Sequence, residues 1–123
     1  MKVTELRVCN CIEDWTDVKN GPIQRQIDLD DFAMMANYER SENHPLPFKP
    51  IPLTEEWLLK MGFDEIDIEE NKNNVRVFHL NGIYCNTLYG VYYYSHLLKQ
   101  IKHVHQLQNL YFALTGEELE VKL

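Results

Sequence analysis

Between Asp64 and Ser95 the chain breaks into four short segments, "DEIDIEEN", "NVRVFHLNG", "IYCNTLYG" and "VYYYS", each rich in β-branched or aromatic residues and separated by turn chemistry. Such residues fit a pleated, half-buried surface better than a helix interior. Asn81-Gly82 is the sharpest signal in the run, because both residues tolerate the positive φ that a two-residue hairpin turn requires. With strands this short and turns this tight, the spacing predicts an antiparallel meander of three or four strands. In the first segment the carboxylates between Asp64 and Glu70 interleave with Ile66 and Ile68, the pattern of a half-buried strand with a solvated face.

Two helices flank the meander. In "PLTEEWLLKMGF", Thr54 is placed as an N-cap, Glu55 and Glu56 occupy the first turn where the helix dipole favours carboxylates, and Gly62 can take the positive φ of a C-terminal stop. Phe63 would then fold back over Leu58 or Leu59. Trp57 belongs to the buried side of this short structural helix. Near the C-terminus, Val104, Leu107, Leu110, Tyr111 and Leu114 recur at helical spacing, and Gly116 stands just past the expected end. Residues 96–103 fit either a last strand or an early start of this helix.

The N-terminal third reads as strand, turn, strand. "ELRVCNCIEDW" puts Leu6, Val8 and Ile12 on one face, Lys19 to Gly21 form a turn, and "PIQRQIDL" carries Ile23 and Ile27 among polar residues. Asp30 or Asp31 is the expected cap of a two-turn helix through "FAMMANY". The proline-rich "ERSENHPLPFKPIP" follows as a linker. The expected division is thus a small β-rich unit over residues 1–48, its linker beginning near 39, and a second unit over 49–123. The class is α+β, with the meander covered by the C-terminal helix.

Charge narrows function more than composition does. The net charge of -7 is shared between both halves with no basic stripe, which disfavours direct binding to nucleic acid or to anionic membrane. The start "MKVTELRVCNC" has no continuous apolar run, and no stretch approaches the length that spans a bilayer. A cytoplasmic chain with reduced thiols at Cys9, Cys11 and Cys85 is the expectation.

The residue patterns do not assemble a catalytic centre or a metal site. Cys9-Asn10-Cys11 is not a C-x-x-C pair, and His103 and His105 point apart on a helix, with no third ligand at a useful spacing. No phosphate loop, nucleophile elbow or H-E-x-x-H motif is present, and no cofactor is expected. The terminal helix is apolar over a wider arc than one packed face needs, with Phe112 widening it. His105, Gln106 and Asn109 form its polar edge. Gln108 falls inside the apolar arc, so its amide should bond backbone of a sheet. Tyr92, Tyr93 and Tyr94, with Phe112 on the over-wide face of the terminal helix, are candidate contact residues, since alternation sends Tyr93 to the face opposite Tyr92 and Tyr94 and at least one ring must meet solvent.

The strings "KPIPLTEEWLLKMGF" and "HVHQLQNLYFALTGEEL" together resemble an uncharacterised family of small proteins carried by prophages and other mobile elements of gut bacteria. The likeness is close in those strings and loose elsewhere, and family members often carry Gly-Asn-aromatic where this chain has Cys9-Asn10-Cys11. The resemblance implies a mobile-element setting, an extended segment before Val104, and Trp57, His105, Gln106, Gln108 and Asn109 as recurring residues. It brings no activity with it. The reading is therefore a non-enzymatic interaction module that binds another protein or itself. An accessory protein of phage DNA metabolism acting through a protein partner is the alternative, and a small hydrolase using His105 comes third.

Overall fold

The computed structural model describes residues 5–17, 19–40, 46–67 and 75–122. Ile68 and the acidic residues after it, together with His44 of the linker, lie outside the described residues. The chain is α+β and forms two compact units, one of residues 1–52 with 103–118 and the other of residues 53–102 with 119–123. The terminal helix thus falls with the N-terminal strands, whereas a cut at 48/49 had grouped it with the meander.

In the first unit, strands β1 (Cys11–Asp14), β2 (Ile23–Gln26) and β3 (Phe48–Lys49) form an antiparallel sheet in the order β2-β1-β3. Strand β1 is shorter than the alternation of Leu6, Val8 and Ile12 suggested. Cys9 adopts φ 77, which breaks the pleat before Cys11, so Leu6 and Ile12 are buried while Val8 is exposed. Helix α1 (Leu29–Arg40) is three turns rather than two. Its start is also earlier than expected: Asp28 Oδ1 accepts the Asp31 N–H at 3.0 Å, and Asp31 Oδ2 accepts the Asp28 N–H at 2.8 Å, a reciprocal cap centred on Asp28. Leu6, Ile12, Ile27, Met35 and Phe48 make the core beneath.

Helix α3 (Val104–Thr115) belongs to the same unit. The stretch before it is extended: His103 has φ -126, bridges Pro52, and hands over to a Val104 N–H that donates to the Ile51 carbonyl at 2.9 Å. Residues 96–98 form a strand, which decides the ambiguity of that segment. Gly116, at φ 73, ends the helix by donating to the Phe112 carbonyl.

In the second unit, helix α2 (Glu55–Lys60) starts where Thr54 Oγ1 accepts the Trp57 N–H and stops where Gly62, at φ 87, lets Phe63 N–H reach the Leu58 carbonyl at 3.0 Å. Strands β4 (Asp64–Ile66), β5 (Val77–Leu80), β6 (Ile83–Asn86), β7 (Gly90–Tyr93) and β8 (His96–Leu98) follow as an antiparallel meander in chain order. It has one strand more than predicted, because His96–Leu98 pairs with β7. Strand β4 is exposed along its whole length rather than half-buried, as befits a short, charged edge. Asn81 at φ 47 and Gly82 at φ 83 form the β5–β6 turn.

Candidate functional site

The polar edge of α3 is spent on the fold. Gln108, 1% exposed, accepts the Cys11 N–H on Oε1 at 2.7 Å and donates from Nε2 to the Cys9 carbonyl at 3.1 Å. Its amide stands in for a strand neighbour of β1 at the point where Cys9 has broken the pleat. The bonded backbone belongs to the N-terminal sheet, not to the meander. Asn109 continues the seam: Oδ1 accepts from Asn10 Nδ2 at 2.8 Å and Arg7 Nη1 at 2.9 Å, while Nδ2 donates to the Glu5 carbonyl at 2.8 Å. Asn10, fully buried, accepts the Arg7 N–H on Oδ1 at 2.7 Å. Gln106 Oε1 takes the His103 N–H at 3.0 Å and so caps the helix start. Arg7 also pairs with Glu118 and lies 4.0 Å from the Phe112 ring centroid, so this half-exposed aromatic carries a cation on one face.

His105 is 1% exposed, and neither ring nitrogen has a hydrogen-bond partner among the described residues. Its Nε2 lies 3.9 Å from a Glu5 carboxylate oxygen, and the His103 ring stacks 5.9 Å away. Burial, then the His103 neighbour, holds the imidazole below its ordinary value, with Glu5 opposing. A general base must reach the proton it abstracts. This ring, sealed from solvent, has no such access. Among the described residues no group of three or more His, Cys, Asp or Glu could hold a metal ion. None of the three cysteines is in a disulfide, and burial pushes the Cys85 thiol up to about 12, far from a nucleophile at neutral pH. Cys85 lies beside a cleft of about 310 Å³ in the second unit, lined also by Leu53, Val91, Ile101 and Lys102.

The meander has two chemically different faces. Register and alternation put Phe78, Ile83, Cys85 and Val91 on one side, all buried. On the other side the cross-strand row Asp64, His79, Tyr84, Tyr92, Leu97 runs from β4 to β8. Asp64 and Leu97 are exposed, and the three rings between them are half-buried. The His79 and Tyr84 rings are 4.4 Å apart, and His79 Nε2 accepts the Gly82 N–H at 3.0 Å, which leaves the ring proton on Nδ1. Tyr94, 66% exposed, is not in the strand. It sits in the β7–β8 turn at φ 52 with its ring over Gly82 and edge-on to Tyr93, whose own position is on the inner face. Tyr89, 62% exposed, stands on the β6–β7 turn, where Asn86 Oδ1 accepts the N–H groups of Leu88 and Tyr89.

Of the residues singled out in the sequence, His105, Gln106, Gln108 and Asn109 gather on the N-terminal unit, whereas Tyr92, Tyr93 and Tyr94 gather on the meander. Trp57 is buried in α2, with Thr54 and Gly62 as its end signals. The partners Arg7 and Asn10 escaped notice, as they lie 102 and 99 residues from Asn109. His79 could have been found from its place in the strand pattern beside Tyr84. No family profile, curated protein or solved structure matches the chain.

Proposed function

We propose that this chain is a non-enzymatic interaction module of a prophage or mobile element, binding a protein through the outer face of the meander. The observation that carries the reading is the row His79, Tyr84, Tyr92, Leu97, in a meander whose turns carry two more exposed tyrosines, Tyr89 and Tyr94. Tyrosine is enriched at contact surfaces because it offers a large rigid apolar area at low entropic cost together with a hydroxyl. Of the polar residues that would have served a catalytic face, Gln108 and Asn109 are instead bonded to the N-terminal segment from Glu5 to Cys11, and Gln106 caps its own helix. The mobile-element setting rests on the resemblance of the Lys49–Phe63 and His103–Leu119 strings.

A photo-cross-linking side chain placed at position 92, in cells that carry the native gene, tests the reading. Protein adducts are expected from position 92 and none from exposed position 56 on α2. Absence of adducts from positions 84, 92 and 97 alike would overturn it.

A further inference from the structure

The outer row is bipolar and centred. Tyr84 stands on β6, the middle of five strands. One end, on β4, carries Asp64, while Asp67 has the parity of Glu65; the other, on β8, carries Leu97, with exposed Lys99 two residues further. Glu65 alternates to the inner side, where Arg76 pairs with it. Neither Asp64, Asp67 nor Lys99 makes an ion pair among the described residues.

A uniformly basic segment laid across this row would meet Lys99, and a uniformly acidic one would meet Asp64. The face fits a ligand with its charges in reverse order and an aromatic middle. A second copy of the chain, turned about a two-fold axis parallel to the strands, supplies that order. Strand β4 of one copy then lies over β8 of the other, His79 over Tyr92, and Tyr84 over the Tyr84 of the second copy. Asp64, which then overlies Leu97 of the second copy, comes within reach of the opposing Lys99. A two-fold axis along the row would instead set β4 over β4 and oppose like carboxylates. Sheets stacked face to face stand ~10 Å apart, a gap that interdigitating tyrosines fill.

We propose that the outer face of the meander is the interface of a symmetric homodimer, two sheets stacked about a two-fold axis parallel to their strands. This rests on the interaction-module reading and names its partner as a second copy.

Sedimentation equilibrium of the full chain tests it. Twice the chain mass is expected at micromolar concentration. Tyr84→Ser, at the centre, should weaken association ~30-fold. Lys99→Glu or Asp64→Lys alone should each weaken it about 5-fold, as rim charges do. The double variant should recover to within about 2-fold of the native chain, because the pair is restored in reverse. Exposed Glu120→Lys serves as the control and should leave association unchanged, with circular dichroism verifying the fold of every variant. A monomer throughout the accessible concentration range, or a double variant no better than the singles, overturns the homodimer. Adduct mass separates the two readings: a cross-link from position 92 to a different protein retains the interaction module and sinks the homodimer, whereas a monomer without any adduct sinks both.

Discussion

Gln108 and Cys11 are joined at 2.7 Å, side-chain oxygen to backbone nitrogen, across 97 residues of sequence. One buried amide of α3 thereby satisfies the backbone of β1 where the left-handed Cys9 has ended its pleat. The helix is held to the sheet by direction-specific bonds as well as by Val104 and Leu107, both fully buried.

Replacing Gln108 by Leu keeps the volume but strands the Cys11 N–H and the Cys9 carbonyl. A loss of about 2–6 kcal/mol is expected, from two buried polar groups at ~1–3 kcal/mol each. Urea unfolding followed by circular dichroism checks it, and a midpoint within error of the native chain would remove the seam's importance. Asn109→Ala should also destabilise, because it strands the amide of fully buried Asn10, whereas Arg7 keeps Glu118 as a partner.

His105 gives the fold an acid-sensitive point. Its imidazole is held low by burial first, so between the ordinary value of 6.5 and the lower folded value the unfolded chain binds a proton that the folded chain refuses. Stability therefore falls as pH drops through that window. His105→Leu should flatten the slope of the urea midpoint between about pH 7.5 and about pH 5.5. An unchanged slope would contradict the assignment.

Arg25 Nε lies 2.8 Å from Asp14, and its two terminal nitrogens lie 2.7 Å from the two Asp31 oxygens. The Arg25 bonds hold the Asp31 carboxyl below its ordinary value, against an opposing effect of burial. A lowered carboxylate contributes stability above its unfolded value that disappears as pH falls through the folded one. Arg25→Leu should cost about 2 kcal/mol near neutrality, with two partly buried carboxylates left unpaired. The native and variant curves should converge only as pH falls through the lowered folded values of the two carboxyls.

Two glycines in left-handed backbone should respond differently to alanine. At Gly62 a Cβ meets nothing within 4 Å, so Gly62→Ala pays backbone strain alone, about 1 kcal/mol. At Gly82 the Cβ would lie 3.1 Å from the Tyr94 ring, and Gly82→Ala should cost about 1 kcal/mol more. Adding Tyr94→Ala should recover the excess at Gly82 and do nothing at Gly62. Thermal unfolding of the four variants measures this.

Local signals were legible and distant ones were not. Thr54, Gly62, Asn81-Gly82 and Gly116 act through neighbours within a turn, so residue type alone revealed the ends of α2 and α3 and the central hairpin. The α+β class and the meander followed from those and from alternation. Gln108 was legible as a buried amide needing backbone, but not which sheet would supply it, because periodicity carries no information about a partner 97 residues away. The Asp28 cap was missed because three aspartates in four residues offer the same chemistry, and only the reciprocal bond with Asp31 distinguishes them. Tyr94 left the alternating pattern because its backbone turns left-handed one residue after β7 ends.

The central claim is that the outer tyrosines of the meander are a contact surface. The most direct measurement is fluorine NMR of chain labelled with fluorotyrosine, followed as the protein is diluted from high to low micromolar concentration. The account predicts that the Tyr84 and Tyr92 resonances shift together on dilution while that of Tyr111, buried in α3, stays fixed. Outer-face resonances that hold still while the protein associates would contradict it.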